Sequence, residues 1–429
     1  MAIWQDSLEH AQLSDVGMRR RNNQDSFGFV LAADDRTWKL RGHVLMVADG
    51  MGAHAAGELA SKIAVETVPH LYLKLLDAPP GEALERAISE TNAEVNRRGS
   101  ANPEFHKMGT TSSVLVLMPD AAWIGHVGDS RVYRLRRNQL EQLTFDHSLV
   151  WEARRDNSWP AGLDPQQALP KNVITRSLGP NSEVAVDVEG PFPLEAGDTF
   201  LLCSDGLTGM LNDDELACIL ANHPAEEAVA ALVDLANLRG GSDNITVLVA
   251  RVLPAWLAKQ GDGAPPPPAS STSPIAEVHP AFWVASGVCG LLSLGLLIAA
   301  HPLFAGVGAL IAAAIVGLGF LLRGGGSRLP TAKGGIAKTY QAPYSHTPYV
   351  DANSFMDKLS TLVSDLRETA TEASLDLATF DKLCQRSADL RRAGQSGQAL
   401  RQLTQAISGV MAEFRKRKRS SQHDSVVDL

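Results

Sequence analysis

The chain of 429 residues has few cysteines: Cys203, Cys218, Cys289 and Cys384 are far apart, with no CxxC pair among them. That spacing excludes a disulfide framework and a cysteine zinc site, and it suits a reduced, cytosol-facing compartment. Aromatic residues make up 6% and charged residues 20%, while hydrophobic residues reach 45%, which excludes collagen-like and intrinsically disordered chains. Positive charge does not dominate. The net charge is −9 and the acidic excess lies before residue 324, so no nucleic-acid groove is expected. The opening residues, Met1-Ala2-Ile3-Trp4-Gln5-Asp6, lack a basic stretch followed by an apolar one, and no cleaved signal peptide is expected.

One segment lacks charge altogether. Ala281 to Leu322 contains no Asp, Glu, Lys or Arg, about twice the roughly 20 residues that cross a bilayer once. His301-Pro302 sits at its middle, where proline would break a helix. The sequence therefore predicts a hairpin of two transmembrane helices, near 282–300 and 303–322. Arg323, Arg328, Lys333 and Lys338 follow, and positive charge beside a span tends to remain cytoplasmic. The expectation is a multi-pass protein of the cell membrane, with the regions on both sides of the hairpin facing the cytoplasm.

Composition divides the rest. Residues 1–253 carry mixed strand and helix patterns, 254–280 are a Pro/Ser-rich linker around Pro265 to Pro268, and 323–350 are a Gly/Pro-rich linker. A helical region is expected over 351–419 and a short tail over 420–429. In the helical region Phe355, Leu359, Leu362, Val363 and Leu366 share one face, as do Leu400, Leu403, Ile407, Val410, Met411 and Phe414. Ala388 to Ile407 is faintly similar to a single tetratricopeptide helix pair. Arg415 to Arg419 is expected to close the last helix, complementing its C-terminal dipole, with anionic lipid headgroups as a second reading.

Within 1–253, apolar and β-branched runs predict strands at His43–Val47, Ser113–Met118, Ala122–Val127, Asp198–Leu202 and Asn244–Val252. Helical patterns cover Gly57–Leu76, Gly81–Arg97 and Pro224–Leu238. Strands come in adjacent pairs rather than in strict βαβ alternation, which argues for antiparallel sheets with helices outside, an α+β layering.

Several strands meet an aspartate beside a glycine or small polar residue: Asn23-Gln24-Asp25, Asp49-Gly50, Gly128-Asp129-Ser130, Ser204-Asp205-Gly206 and Ser242-Asp243-Asn244. Carboxylates gathered at one rim would repel one another unless cations neutralise them. Oxygen-only ligands suit hard ions such as Mg2+ or Mn2+ rather than zinc. One Asp-Gly alone is only a turn. The set gains weight with its neighbours: Asp15-Val16-Gly17, Arg20, Asp49-Gly50-Met51-Gly52, Gly57-Glu58, Gly109-Thr110-Thr111, Gly128-Asp129-Ser130-Arg131, Thr175-Arg176-Ser177-Leu178-Gly179 and Ser242-Asp243-Asn244-Ile245-Thr246. In this order, over about residues 10–252, the chain closely resembles the bacterial metal-dependent serine/threonine protein phosphatases of the PPM (protein phosphatase 2C-like) family.

The resemblance implies a two-sheet antiparallel β-sandwich flanked by helices, in α-β-β-α layers, with a binuclear Mg2+ or Mn2+ centre at one end. Carried onto this sequence, Asp49 would bridge two ions, the Gly50 carbonyl would join it on one, and Asp205 and Asp243 would complete the other. Asp25 and Gln24 would act through waters, Asp129 with Asp205 would match a third metal position, and Arg20 would bind phosphate. Asn244 lies beside a ligand and is expected to support it. A water between two divalent ions is acidic enough to attack a phosphomonoester as hydroxide, and the Arg20 fork can grip two phosphoryl oxygens.

Gln24 stands where the family often has glutamate, Ala53 where bacterial members usually have glycine, and Met51 where some members place a histidine. His54 is a candidate for protonating the leaving group, and His126 and His147 are expected to orient neighbours. The expected activity is hydrolysis of phosphoserine and phosphothreonine in proteins. The alternatives are a non-protein phosphoester and, from another class, an inactive scaffold that holds phosphoproteins at the membrane. A phosphorylated protein substrate and a Ser/Thr kinase or its targets are the expected partners.

Overall fold

The computed structural model describes residues 7–52, 55–155, 168–170, 173–257 and 342–427, with side chains up to Lys418. Twelve strands are described: β1 (Leu8–Asp15), β2 (Asp25–Val30), β3 (His43–Met51), β4 (Gly109–Thr110), β5 (Ser112–Leu117), β6 (Ala121–Val127), β7 (Arg131–Arg136), β8 (Gln139–Gln142), β9 (Asp187–Pro193), β10 (Thr199–Cys203), β11 (Ile245–Val252) and β12 (Ser345–Pro348). The helices are α1 (Asp35–Arg41), α2 (Ala56–Lys74), α3 (Pro80–Ala101), α4 (Leu149–Arg155), α5 (Asp205–Thr208), α6 (Asp213–Asn222), α7 (Ala225–Leu238), α8 (Pro254–Leu257), α9 (Ala352–Glu372), α10 (Ala378–Arg392) and α11 (Ser396–Val427).

Every named strand pairing is antiparallel. One sheet runs β1-β11-β10-β7-β8-β12 and the other β2-β3-β5-β6-β9, with β4 added to β3. The period-2 rule explains the layering. Along β3, Leu45 and Val47 point into the core between the sheets, with Leu115, Ile124, Leu202 and Leu248. Val44, Met46 and Ala48 point the other way, onto a core with Ala64, Val68, Leu84 and Ile88 of α2 and α3. The strands are apolar on both faces because both faces are covered. This is the α+β sandwich expected from the sequence.

The other outer layer departs from expectation. Helices α6 and α7 cover the first sheet, and α9, α10 and α11 pack onto them in a continuous core that joins Leu216, Leu232 and Val249 to Phe355, Leu400 and Ile407. Residues 1–261 and 337–429 form one compact unit. The end of the segment expected as a linker, Ser345–Pro348, is β12, which pairs with β8 from Ser345↔Gln142 to Pro348↔Gln139. Helix α11 continues past the basic run to Val427, so those residues do not close it.

The multi-pass membrane placement is corrected. No helix among the described residues is long and apolar enough to cross a membrane. The long helices carry charge on their outer faces, as at Asp357, Lys358, Arg367 and Glu368 of α9, so their apolar stripes serve the protein core. The hairpin predicted at 281–322 lies outside the described residues, as do His54 and residues 258–280 of the linker expected over 254–280, whose first four residues form α8 instead.

Candidate metal and phosphate site

Antiparallel alternation gathers the acidic motifs at one end of the sandwich. Strands β3, β6 and β10 run towards that rim, with Asp49 near the end of β3, Asp129 just after β6 and Asp205 just after β10; β2 and β11 start there, at Asp25 and just after Asp243-Asn244. Two of the aspartates therefore precede their strands rather than close them, and Asp25 sits directly opposite Asp49 in the β2–β3 ladder.

Close backbone packing fixes Asp49-Gly50. A Cβ on Gly50 would lie 2.1 Å from the Gly57 carbonyl oxygen and 2.5 Å from that of Gln24, and one on Gly57 would lie 2.8 Å from the Gly50 carbonyl. Only glycine lets the start of α2 approach this closely. The Asp49 amide donates to Thr111 Oγ1 at 2.8 Å, and Thr110 Oγ1 donates to the Asp49 carbonyl at 2.9 Å, so Gly109-Thr110-Thr111 braces the aspartate from the neighbouring strands. Ser204 Oγ donates to Asp25 Oδ2 at 2.7 Å.

The carboxylates are buried and crowded. Burial, then repulsion from Asp25, Asp205, Asp129 and Asp243, pushes the Asp49 carboxyl well above the usual range. Burial also raises Asp25 to about 7, against hydrogen bonds from Ser204 and Thr246. Asp129 and Asp205 are raised by burial first, then by their acidic neighbours, and Asp205 shares a hydrogen bond with Asp49. Asp25 Oδ1, Asp129 Oδ1 and Asp205 Oδ1 are buried with no hydrogen-bond partner. Buried oxygens of this kind call for a missing counter-charge.

Among the described residues no group of three His, Cys, Asp or Glu side chains is arranged to hold an ion by itself. Instead, Arg20 Nη2 bonds Asp243 Oδ2 at 2.8 Å, with the guanidinium half exposed. The donor set nonetheless fits hard divalent cations: carboxylate oxygens from separate loops, three of them unpartnered, beside the Gly50 backbone.

Asn244 organises the loop between β1 and β2. Its Oδ1 accepts from the Gln24 amide at 2.8 Å, and its Nδ2 donates to the carbonyls of Val16 and Asn22 at 3.0 and 2.9 Å. The Gln24 side chain donates from Nε2 to the Gly52 carbonyl at 3.4 Å.

Asp146 went unnoticed in the sequence. It repels Asp129 and is gripped by Arg131, with Nε 2.9 Å and Nη2 2.7 Å from Oδ2. Its only local mark is its place in Phe145-Asp146-His147, beyond the end of β8 and without a glycine neighbour. His147 receives the Gly128 amide on Nδ1 at 2.9 Å and so presents its Nε2 hydrogen to Asp187 at 2.8 Å. His126, tied to Ser113 Oγ and the Phe145 carbonyl, is pushed by burial down to about 3. Both rings are neutral and structural. A groove lined by Asp129, Arg131, Asp146 and Asp205 leads from the rim, and a cavity beside it shares Arg131 and Trp151 and is lined also by Tyr344 and Ser345.

The model of protein phosphatase 2C matches residues 18–245. The chain belongs to the protein phosphatase 2C family. Protein phosphatase PhpP of Streptococcus pneumoniae is 36% identical over 247 residues, 56% of this chain and 96% of the relative. The serine/threonine phosphatase stp of Listeria monocytogenes is 36% identical over 246 residues, 56% of this chain and 94% of that one. Among solved structures, the serine/threonine phosphatase of S. agalactiae is 31% identical with a TM-score of 0.51, covering 57% of this chain and 99% of the other. This chain is therefore a metal-dependent serine/threonine phosphatase of the PPM type, and β12 with α9 to α11 lies beyond the matched region.

Proposed function

We propose that the phosphatase hydrolyses phosphoserine and phosphothreonine in proteins with two Mg2+ or Mn2+ ions at the rim. Asp49 would serve both ions, with the Gly50 carbonyl on one and Asp205 and Asp243 on the other. Asp25 and Gln24 would act through waters, and Asp129 with Asp205 offers a third position. The observation that carries this reading is the set of buried, unpartnered oxygens on Asp25, Asp129 and Asp205. Divalent ions there would acidify a water for attack on phosphorus and offset phosphoryl charge.

The chain's own residues do the rest. Arg20 exchanges Asp243 for two phosphoryl oxygens, a fork that an ammonium would not reproduce. Asn244 keeps the Arg20 loop and Gln24 in register with Asp243, and Arg131 offsets the charge of Asp146 behind Asp129. The full chain should release phosphate from a phosphothreonine peptide with Mn2+ or Mg2+ and stop when the ions are chelated. Phosphate release that is indifferent to chelation, or none with either ion, would overturn the proposal.

A further inference from the structure

The loop carrying Arg20 is held from two sides. On one side the amides of Met18 and Arg19 donate to the Gly241 carbonyl at 2.8 and 3.1 Å, and Asn244 takes the Val16 and Asn22 carbonyls. The carbonyls between them face the opposite way, towards α11. There Lys418 Nζ donates to the Gly17 carbonyl at 2.7 Å, to Met18 at 3.1 Å and, at longest, to Arg20 at 3.4 Å. An ammonium has three hydrogens and no acceptor, so this group of carbonyls matches its capacity.

Lys418 does not reach the loop by chance of a flexible tail. The turn of helix before it is anchored by Arg415, which pairs with the buried Asp234 of α7 and lies 4.0 Å from Asp15 at the end of β1. Farther back, His223 Nε2 and Thr404 Oγ1 are 2.8 Å apart, and Arg401 bonds both oxygens of Glu227. Val410 and Met411 are buried in the shared core. The helix is thus fixed from Arg401 to Arg415, and its basic run is delivered to the backbone beneath Arg20.

We propose that Lys418 is a positioning residue for substrate phosphate: by fixing the carbonyls of residues 17, 18 and 20 it sets the direction of the Arg20 side chain. Arg20 is half exposed, with Asp243 as its partner, so its aim depends largely on the backbone that carries it. A guanidinium that must search for the phosphate loses binding strength, while the reacting atoms at the rim are untouched. Within the basic run, Arg415 and Lys418 are accordingly used on the catalytic unit. This inference rests on Arg20 being the phosphate ligand.

The test uses the full chain with p-nitrophenyl phosphate and a phosphothreonine peptide. Lys418→Met should raise KM roughly 3- to 10-fold, the effect of losing a part-exposed charged donor set, with kcat within about twofold because no transition-state contact is removed. Lys418→Arg should restore most of the loss. In an Arg20→Ala background, Lys418→Met should add nothing further. Unchanged KM in Lys418→Met, alongside a raised KM in Arg20→Ala, would overturn the positioning role alone. An equal KM rise in both backgrounds would also overturn it, since Lys418 would then act without Arg20. Unchanged KM in Arg20→Ala would instead overturn the phosphate-binding reading and this inference with it.

Discussion

The catalytic rim and the interface of α6 and α7 with the C-terminal helices both gather charge, yet they handle it oppositely. At the rim, Asp25, Asp49, Asp129 and Asp205 crowd together and leave carboxylate oxygens unpartnered. At the interface each acid meets a base: Asp234 meets Arg415 through Oδ1, although its Oδ2 has no hydrogen bond, Glu227 meets Arg401, and Asp214 meets Lys358 at 2.7 Å. One region completes its charge balance within the chain, and the other is built to receive cations from outside. A site that binds metal must carry frustration that an ordinary interface removes.

Four changes would break or sharpen that contrast. The largest effect is expected for Asp49→Asn, which should lower kcat roughly a thousandfold or more if this carboxylate organises both ions, while thermal stability without metal holds or rises because a crowded like charge is gone. Phosphate-release assays and melting curves measure the two arms, and an active variant would remove Asp49 from its central role. Next, Arg415→Met should cost about 3 kcal/mol in denaturant unfolding by stranding Asp234, and adding Asp234→Leu should recover most of it. No recovery would mean that the pair is not what matters there.

The third change is in pH. Burial lowers His223 to about 4, below its unfolded value, so the folded state binds fewer protons than the unfolded one. Its contribution is present above about pH 6.5 and is lost as pH falls towards 4, on the order of 3 kcal/mol in all. Wild type should therefore lose more stability than His223→Asn between pH 7 and pH 5, and parallel losses would sink the assignment. The smallest effect belongs to Arg401 and Glu227, both partly exposed. A double-mutant cycle to alanine should give a coupling of about 0.5 to 1 kcal/mol, and a coupling several times larger would mean the pair behaves as a buried one.

The rim was legible in the sequence because its signals are local: Asp49-Gly50, Asp129-Ser130, Asp205-Gly206 and Asp243-Asn244 each combine an acid with a turn former, next to an apolar run. Strand pairing was not legible: Asp25 and Asp243 precede their strands while Asp129 and Asp205 follow theirs, and only the antiparallel ladders bring the two kinds of strand end to one rim. Asp146 escaped because its importance comes from Arg131 and Asp129, neither of which marks it in the chain. The tail shows the limit more sharply. Phe355, Leu359, Ile407 and Val410 announced apolar faces, but periodicity cannot say what a face packs against, and α6 and α7 carry no mark that they need a second layer. The fate of Lys418 depended on that missing partner.

Strand β12 and the helices after it also bear on synthesis. On the ribosome, α6 and α7 emerge long before α9 to α11, with residues 258–341 made in between. Leu220, Val229 and Ala236 must wait for the cover supplied by Phe355, Leu400 and Met411, and the edge of β8 must wait for Ser345–Pro348. Uncovered apolar helix faces and open strand edges invite association with other chains. The smallest unit that hides its own apolar surface is therefore larger than the region shared with the family, and a nascent chain of this phosphatase stopped at residue 257 would still expose the outer faces of α6 and α7.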